Sequence, residues 1–304
     1  MISIIIPTYN RSQLIKRAIF SVLNQTFSDF EVIVVDDCSI DDTEKVIEKI
    51  NDDRIRYIKL ATNSGAPAAR NVGIKLSKRP YISLLDSDDE YLPNKLELQI
   101  NKIKELHENV GIVYCGYSIL YESGKIYTTV APKHKGNLYN RLLRHNCMGS
   151  PTPLIKRECF ETCGLFDESL PSCQDWDMWI RISEKYNIDY IDESLANVYT
   201  HGNQISTNIN NKIISRERLF EKYKHLIIRQ PETASYLLQR LGFLYFLKNC
   251  SYTSLRYYLK SIAANPRDLE TYMTLLTFLI AKKRHVNRMK HASIREANNI
   301  TVYF

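Results

Sequence analysis

Three carboxylates, Asp86, Asp88 and Asp89, fall within four residues at the end of an apolar run in YISLLDSDDEYLP (Tyr81 to Pro93). Like charges this close repel one another unless something positive sits among them. Two readings stand: a solvated acidic turn, or hard oxygen ligands for a divalent metal. Further polar clusters follow other apolar runs: Thr8, Tyr9 and Asn10; Asp36, Asp37 and Ser39; Asn63 and Gly65. Asp36, Asp37 and Ser39 could also simply cap the helix that follows.

The elements that would carry these groups alternate along the first hundred residues. ISIIIP (Ile2 to Pro7) is a near-continuous β-branched run, the pattern of a strand buried on both faces. NRSQLIKRAIFSVLNQ (Asn10 to Gln25) has apolar residues at helical spacing, with Asn10 or Ser12 as N-cap. EVIVVDD, RIRYIKL and YISLL read as further strands, and DDTEKVIEKI, APAARNVGIKLS and NKLELQINKIKEL as the intervening helices. Repeated βα units imply a wound, mostly parallel sheet with helices on both faces. Ligands of such sheets sit beyond the carboxyl ends of the strands, where all four polar clusters fall. No GxGxxG or Walker A loop follows any strand, which disfavours a dinucleotide or P-loop fold.

Beyond Gly111 the alternation loosens. GIVYCGYSIL and KIYTTV read as strands, CQDWDMWIRISEKY (Cys173 to Tyr186) as an amphipathic helix, and IDYIDESLANVYTHG (Ile188 to Gly202) as a returning strand. In that helix Asp177 stands four residues before Arg181, the spacing of a surface ion pair. Trp176, Trp179 and Ile180 share a face that suits core packing, with an acceptor-sugar platform as the alternative for one Trp. From about Ile213 the pattern is wholly helical. Small residues Ser261, Ala263 and Ala264 before Asn265-Pro266 resemble one tetratricopeptide-like hairpin, and an ordinary helical appendix fits as well.

At 304 residues the chain can hold a large domain with an appendage, and its net charge of +7 is too mild for a nucleic-acid partner. The excess concentrates in KKRHVNRMK (Lys282 to Lys290), a solvated helix end or a contact for an anionic surface such as a membrane. Seven cysteines, with no CxxC pair and no signal-peptide pattern, point to free thiols used in packing and to a cytoplasmic protein. The longest apolar runs are too short or too interrupted to span a bilayer, which leaves peripheral attachment at the inner face of the membrane open.

Five segments occur in a telling order: SIIIPTYNR, VIVVDDCSIDDT, NSGAPAARNVGI, LLDSDDEYLP and QDWDMWIR. Together they resemble the inverting glycosyltransferases of family 2, of GT-A fold, over roughly Met1 to Ser206. The resemblance implies a GT-A domain over residues 1–210, with a nucleotide-binding half (1–110) and an acceptor-binding half (111–210), followed by a helical region over 211–304. It implies that Pro7, Tyr9 and Asp37 hold the base of a nucleotide-sugar donor, since a carboxylate accepts the imide N–H of uracil. Arg70 would lie near the nucleotide or diphosphate, or else on a helix surface, and Gly65 would allow close backbone approach or a positive φ. Asp86, Ser87 and Asp88 match the DXD element. Asp88 would ligate Mn²⁺ or Mg²⁺, Asp86 would contact the ribose or a metal-bound water, and Asp89 would help or begin the next helix. His201 would reach the diphosphate or metal.

Asp175 matches the family's catalytic base, and Gln174 stands where relatives more often have Glu. The implied activity is metal-dependent, inverting transfer from a nucleotide-sugar, most simply a UDP-sugar, to a saccharide or lipid-linked glycan acceptor in cell-surface polysaccharide synthesis. The helical tail could pair two copies of the chain. The alternatives are a nucleotidyltransferase and a non-catalytic interaction protein with a degenerate transferase domain.

Overall fold

The structure is a computed structural model, and it describes residues 1–200 and 208–280. The first part alternates as the sequence predicts: β1 (Ile2–Thr8), α1 (Ile15–Leu23), β2 (Phe30–Asp36), α2 (Thr43–Glu48), β3 (Ile55–Lys59), α3 (Ala66–Leu76) and β4 (Tyr81–Leu84). Then come β5 (Glu90–Tyr91), α4 (Lys95–Glu105), β6 (Val110–Tyr121), β7 (Ile126–Val130), α5 (Tyr139–Arg144), β8 (Leu154–Lys156), α6 (Arg157–Cys163), α7 (Gln174–Lys185) and β9 (Asn187–Thr200). The remaining described residues are helical: α8 (Ile209–Lys222), α9 (Lys224–Ile227), α10 (Pro231–Leu247), α11 (Ser251–Ala264) and α12 (Leu269–Ile280).

Among the described residues nine strands form one sheet in the order β3-β2-β1-β4-β8-β6-β9-β5, with β7 on β6. Strands β1 to β4 are mutually parallel, β8 is antiparallel to both β4 and β6, and β9 is parallel to β6. Strands β5 and β7 pair antiparallel with β9 and β6, so the sheet is mixed, with a wholly parallel first half and the antiparallel pairings in its second. Ile2, Ile4, Ile5 and Ile6 are all fully buried, which explains why β1 lacks an alternating pattern. Helix α3 lies close on this strand because Gly73 has no side chain: a Cβ there would stand 2.4 Å from Ile5 Cγ2. That close approach holds Arg70, one turn earlier on α3, near the strand ends.

The N-cap of α1 differs from expectation. The helix begins at Ile15, after Leu14, and no side chain caps it. Asn10 is engaged elsewhere, at φ 51°: its N–H donates to Ser39 Oγ (2.8 Å) and its side-chain oxygen accepts from the Ile40 N–H (2.9 Å). Ser12 donates its N–H to Asp41 Oδ2 (3.1 Å), and Asp41 Oδ1 accepts the Thr43 N–H at the start of α2 (3.0 Å). Burial opposes the charge on Asp41, but the Thr43 and Ser12 donors outweigh it and hold the carboxyl at about 2. These residues tie the loop after β1 to the loop after β2, so two of the polar strand ends form one framework.

Two compact units divide the chain. One comprises residues 1–139, 147–168 and 174–201; the other comprises 140–146, 169–173 and 202–304. Within the second, α10 and α11 form a helical hairpin through small polar contacts. Ser261 Oγ donates to Ser235 O (2.8 Å) and Ser254 Oγ to Gly242 O (2.7 Å). Of the three small residues the sequence singled out, Ser261 is buried in this hairpin whereas Ala263 is exposed. No disulfide joins any of the seven cysteines, and Cys115 and Cys159 are buried as packing residues. No helix among the described residues is long and apolar enough to cross a membrane.

Candidate active site

The first wall of the site is built at the end of β2. Asp36 is fully buried and spent on structure: Oδ1 accepts the Ser39 N–H (2.8 Å) and Oδ2 the Tyr57 hydroxyl (2.6 Å). Asp37 donates its N–H to Thr8 O (2.8 Å), which joins the ends of β1 and β2. Its Oδ1 accepts the Ser64 N–H and its Oδ2 the Gly65 N–H, each at 2.7 Å. Gly65 has φ 90°, the left-handed conformation the sequence suggested, and it leads directly into α3. Asp37 thus sets the loop before α3, and the remaining lone pairs of its carboxylate can still accept a ligand N–H. Pro7 is buried in β1, while Tyr9 is exposed at its end.

The carboxylate turn joins β4 to β5 and is tied at several residues. Tyr91 Oη donates to Leu84 O (2.5 Å), and the Asp89 N–H to Asp86 O (3.0 Å). Arg17, from α1, donates to the carbonyl of Asp88 and lays its guanidinium 3.5 Å over the Tyr199 ring. The Tyr199 N–H in turn donates to Asp89 Oδ1 (3.1 Å). The three carboxylates have separate environments. Asp86 pairs with Arg70 (2.6 Å), and Asp88 Oδ2 lies 3.8 Å from Arg11 Nη2. Asp89 is buried, and burial together with the charges of Asp88 and Asp86 pushes its carboxyl well above the usual range. Ser87 is buried within the turn.

Arg70 links this turn to the second acidic segment. It is buried rather than exposed on the helix surface, because Nη2 reaches Asp86 while Nη1 reaches Gln174 Oε1 at 3.3 Å. Gln174 opens α7, and Asp175 follows it in the first turn, half-buried. The neighbouring Asn71 clamps the loop that leads toward α7: its Nδ2 donates to Phe166 O (3.0 Å) and Glu168 Oε1 (2.8 Å), and its Oδ1 accepts the Phe166 N–H (2.9 Å). The segment ARN therefore places Asp86 and the start of α7 against one side chain. Asp88 lies on the turn and Asp175 on the helix that Arg70 joins.

The family model described as glycosyl transferase family 2 matches residues 3–164, which include all of β1 but Ile2, together with Asp37, Arg70 and the whole carboxylate turn. The chain belongs to glycosyltransferase family 2. It is 33% identical over 191 residues to an Escherichia coli protein named UDP-Glc:alpha-D-GlcNAc-diphosphoundecaprenol beta-1,3-glucosyltransferase WfgD, covering 63% of this chain and 73% of that protein. Among solved structures it is similar to TarS 1–349 of S. aureus in complex with UDP-GlcNAc (TM-score 0.59, 20% identity, 91% of each chain). It is also similar to a mannosyltransferase from Pyrobaculum calidifontis in complex with GDP-Man and Mn2+ (TM-score 0.60, 18% identity, 99% of this chain and 85% of that one). At these identities the structural likeness establishes the GT-A fold.

In this family 2 glycosyltransferase the residues present fit a divalent ion of a particular kind. Mg²⁺ and Mn²⁺ at phosphate-transfer sites take one or two carboxylates and complete their shell with substrate phosphates and water. Asp88, 14% exposed and 3.8 Å from Arg11, can offer such a carboxylate; Asp86 is more exposed at 30% but its Oδ1 is held by Arg70 at 2.6 Å, and Asp89 is buried. Among the described residues no group of three metal-ligating side chains encloses a cation, so ligand oxygens would complete the shell. Arg11 at 3.8 Å is a weak rival, since a divalent ion at similar range interacts about twice as strongly. Two buried polar atoms, Thr8 Oγ1 at the end of β1 and Arg70 Nε on α3, have no hydrogen-bond partner among the described residues. His201 lies outside the described residues.

Several assignments change in detail. Asp177 does pair with Arg181 (2.9 Å), but the carboxylate is 0% exposed, so this is a buried pair and not a surface one. Arg181 also donates to Cys163 O (2.5 Å) and Leu165 O (2.8 Å), fastening α7 to the segment after α6. Removing the cation alone would strand a buried charge. Arg181→Met is therefore expected to cost about 3–5 kcal/mol and lower Tm by about 10 °C, read by thermal unfolding. Trp176 and Trp179 are both buried, which settles them as core residues and removes the sugar-platform alternative. Sequence reasoning passed over Arg11, Arg17 and Tyr199, whose partners lie far along the chain.

Proposed function

We propose that this glycosyltransferase moves a sugar, with inversion, from a UDP-sugar to a hydroxyl of a saccharide or lipid-linked glycan during cell-surface polysaccharide synthesis. The observation that carries this reading is the bridge from Asp86 through Arg70 to Gln174, which joins the carboxylate turn to the start of α7. The UDP-Glc and diphosphoundecaprenol in the WfgD name, and the UDP-GlcNAc held by TarS, support the donor and acceptor classes.

In the proposed reaction the acceptor oxygen attacks the anomeric carbon opposite the diphosphate. Its proton passes to the Asp175 carboxylate, and the bond to the diphosphate oxygen breaks with its electron pair leaving on UDP. Asp175 suits the base because Asp177 is buried against Arg181. Asp37 and the loop at Ser64 and Gly65 would hold the uracil end, with Pro7 and Tyr9 beside it. Asp88 would hold Mn²⁺ or Mg²⁺, which when bound offsets the charge that gathers on the leaving diphosphate. Arg70 would keep Asp86 oriented next to it. The basic run Lys282 to Lys290 supports peripheral contact with an anionic membrane, where a lipid-linked acceptor would reside.

Calorimetric titration with UDP, in Mn²⁺ and again in a chelator, tests the reading. Metal-dependent binding is the expected result; heat that is absent in both titrations, or equal in both, would sink it. A mass-spectrometric screen of UDP-, GDP- and dTDP-sugar hydrolysis then reads out the donor.

A further inference from the structure

Beneath the carboxylate turn lies a lysine with no acidic partner. Lys95, the first residue of α4, is 0% exposed. Its Nζ donates to Gln99 Oε1 (2.8 Å) and Ser83 Oγ (3.3 Å) and stands 3.9 Å from the centre of the Tyr91 ring. No carboxylate pairs with it among the described residues. Burial pushes the ammonium down to about 8. An unpaired buried charge is costly, and an apolar side chain of similar length would relieve that cost. Two neutral acceptors and the Tyr91 ring offset part of that cost, and the ammonium in turn holds those groups in place.

The hydrogen bonds around Lys95 show what else is held. Gln99 Nε2 donates to Val113 O and Thr152 O, both at 2.8 Å, so its carboxamide oxygen faces Lys95. Ser83 Oγ lies 3.1 Å from Pro153 O and 2.9 Å from Tyr91 Oη. Tyr91 Oη donates onward to Leu84 O, the last carbonyl of β4. A polar relay thus runs from Lys95 through Ser83 and Tyr91 to Leu84. It grips both ends of the Asp86–Asp89 turn: Leu84 lies two residues before Asp86, and Tyr91 two after Asp89. Lys95 is the relay's cation, and it contributes the donors that Ser83 and Gln99 accept.

We propose that Lys95 is a positioning residue for the donor: its ammonium cross-ties β4, β5 and α4 under the carboxylate turn and so sets the geometry of Asp86 and Asp88. This rests on the reading that the turn holds a metal-bound nucleoside diphosphate. Groups that orient a metal-binding carboxylate from behind commonly change affinity or activity 10- to 100-fold when removed.

The test uses the full chain with Lys95→Met and Tyr91→Phe. Tyr91→Phe keeps the ring under the ammonium and removes only the hydroxyl at the centre of the relay. Thermal unfolding, UDP affinity in Mn²⁺ by titration, and donor KM and kcat are measured for each. Lys95→Met trades the cost of burying the ammonium against its lost bonds to Gln99 and Ser83, so it is expected to unfold within a few degrees of wild type, yet to bind UDP about tenfold or more weakly and to raise donor KM more than it lowers kcat. Tyr91→Phe should shift UDP affinity in the same direction. A folded Lys95→Met whose UDP affinity and donor KM match wild type overturns the proposal. So does a loss of stability that tracks the loss of binding, because Lys95 would then be a plain structural residue. If Lys95→Met does not fold, Tyr91→Phe decides alone: unchanged UDP affinity overturns the proposal. A wild-type chain that binds no UDP in Mn²⁺ would instead defeat the donor reading beneath it.

Discussion

Asp175→Asn is expected to lower kcat by about 10³-fold while UDP binds the variant as it binds wild type. The amide has nearly the same shape as the carboxylate, so α7 and the Gln174–Arg70 contact before it should survive. What disappears is a group able to take the acceptor's proton as the new bond forms, and such proton transfer contributes roughly 10²- to 10⁴-fold. Asp177 cannot substitute, because it is fully buried and committed to Arg181. Measuring kcat with a saturating donor, together with UDP affinity, separates the roles. Turnover within an order of magnitude of wild type would place the base elsewhere, and a parallel loss of UDP binding would recast Asp175 as a donor contact.

Asp88→Asn carries the second large effect, and its sign should reverse with the metal. In Mn²⁺ the variant should bind UDP about 100-fold or more weakly. Unit charges 4 Å apart near a protein surface interact by about 4 kcal/mol, a divalent ion by more, and each 1.4 kcal/mol is tenfold. In a chelator the variant should bind at least as well as wild type, because one negative charge beside the diphosphate is gone. Titrations in the two conditions check the crossing. Equal losses in both would mean that Asp88 acts on the ligand or the fold directly and not through a cation.

The part of this site that sequence revealed is the part written in local pattern. Continuous β-branched residues announce β1, helical spacing announces α1, α3 and α4, and polar residues after each strand mark where a ligand crevice opens. The positive φ at Gly65 follows from its place between a strand and a helix. The rest depends on reach across the chain. Arg17 meets Asp88 from 71 positions away, and Arg70 meets Gln174 from 104, distances at which no periodicity carries information. Strands β5 and β8, of two and three residues, are too short to show a period at all. Asn10 reads as a cap because Asn favours caps, but tertiary contacts with Ser39 and Ile40 claimed it instead. Burial was equally invisible: spacing located the Asp177–Arg181 pair and gave no sign that it would be sealed inside.

The tie between Tyr199 and Asp89 spans 110 positions, and the two-residue β5 pairs with β9. So short a strand does not hold itself. A fragment that ends soon after the DSDD motif would contain every acidic residue of the turn without the partner that closes it. The smallest piece able to present these carboxylates as they stand here runs from the N-terminus to at least Thr200. Grafting the motif into another scaffold would mean transplanting a discontinuous brace, with one arm in α1 and the other in β9.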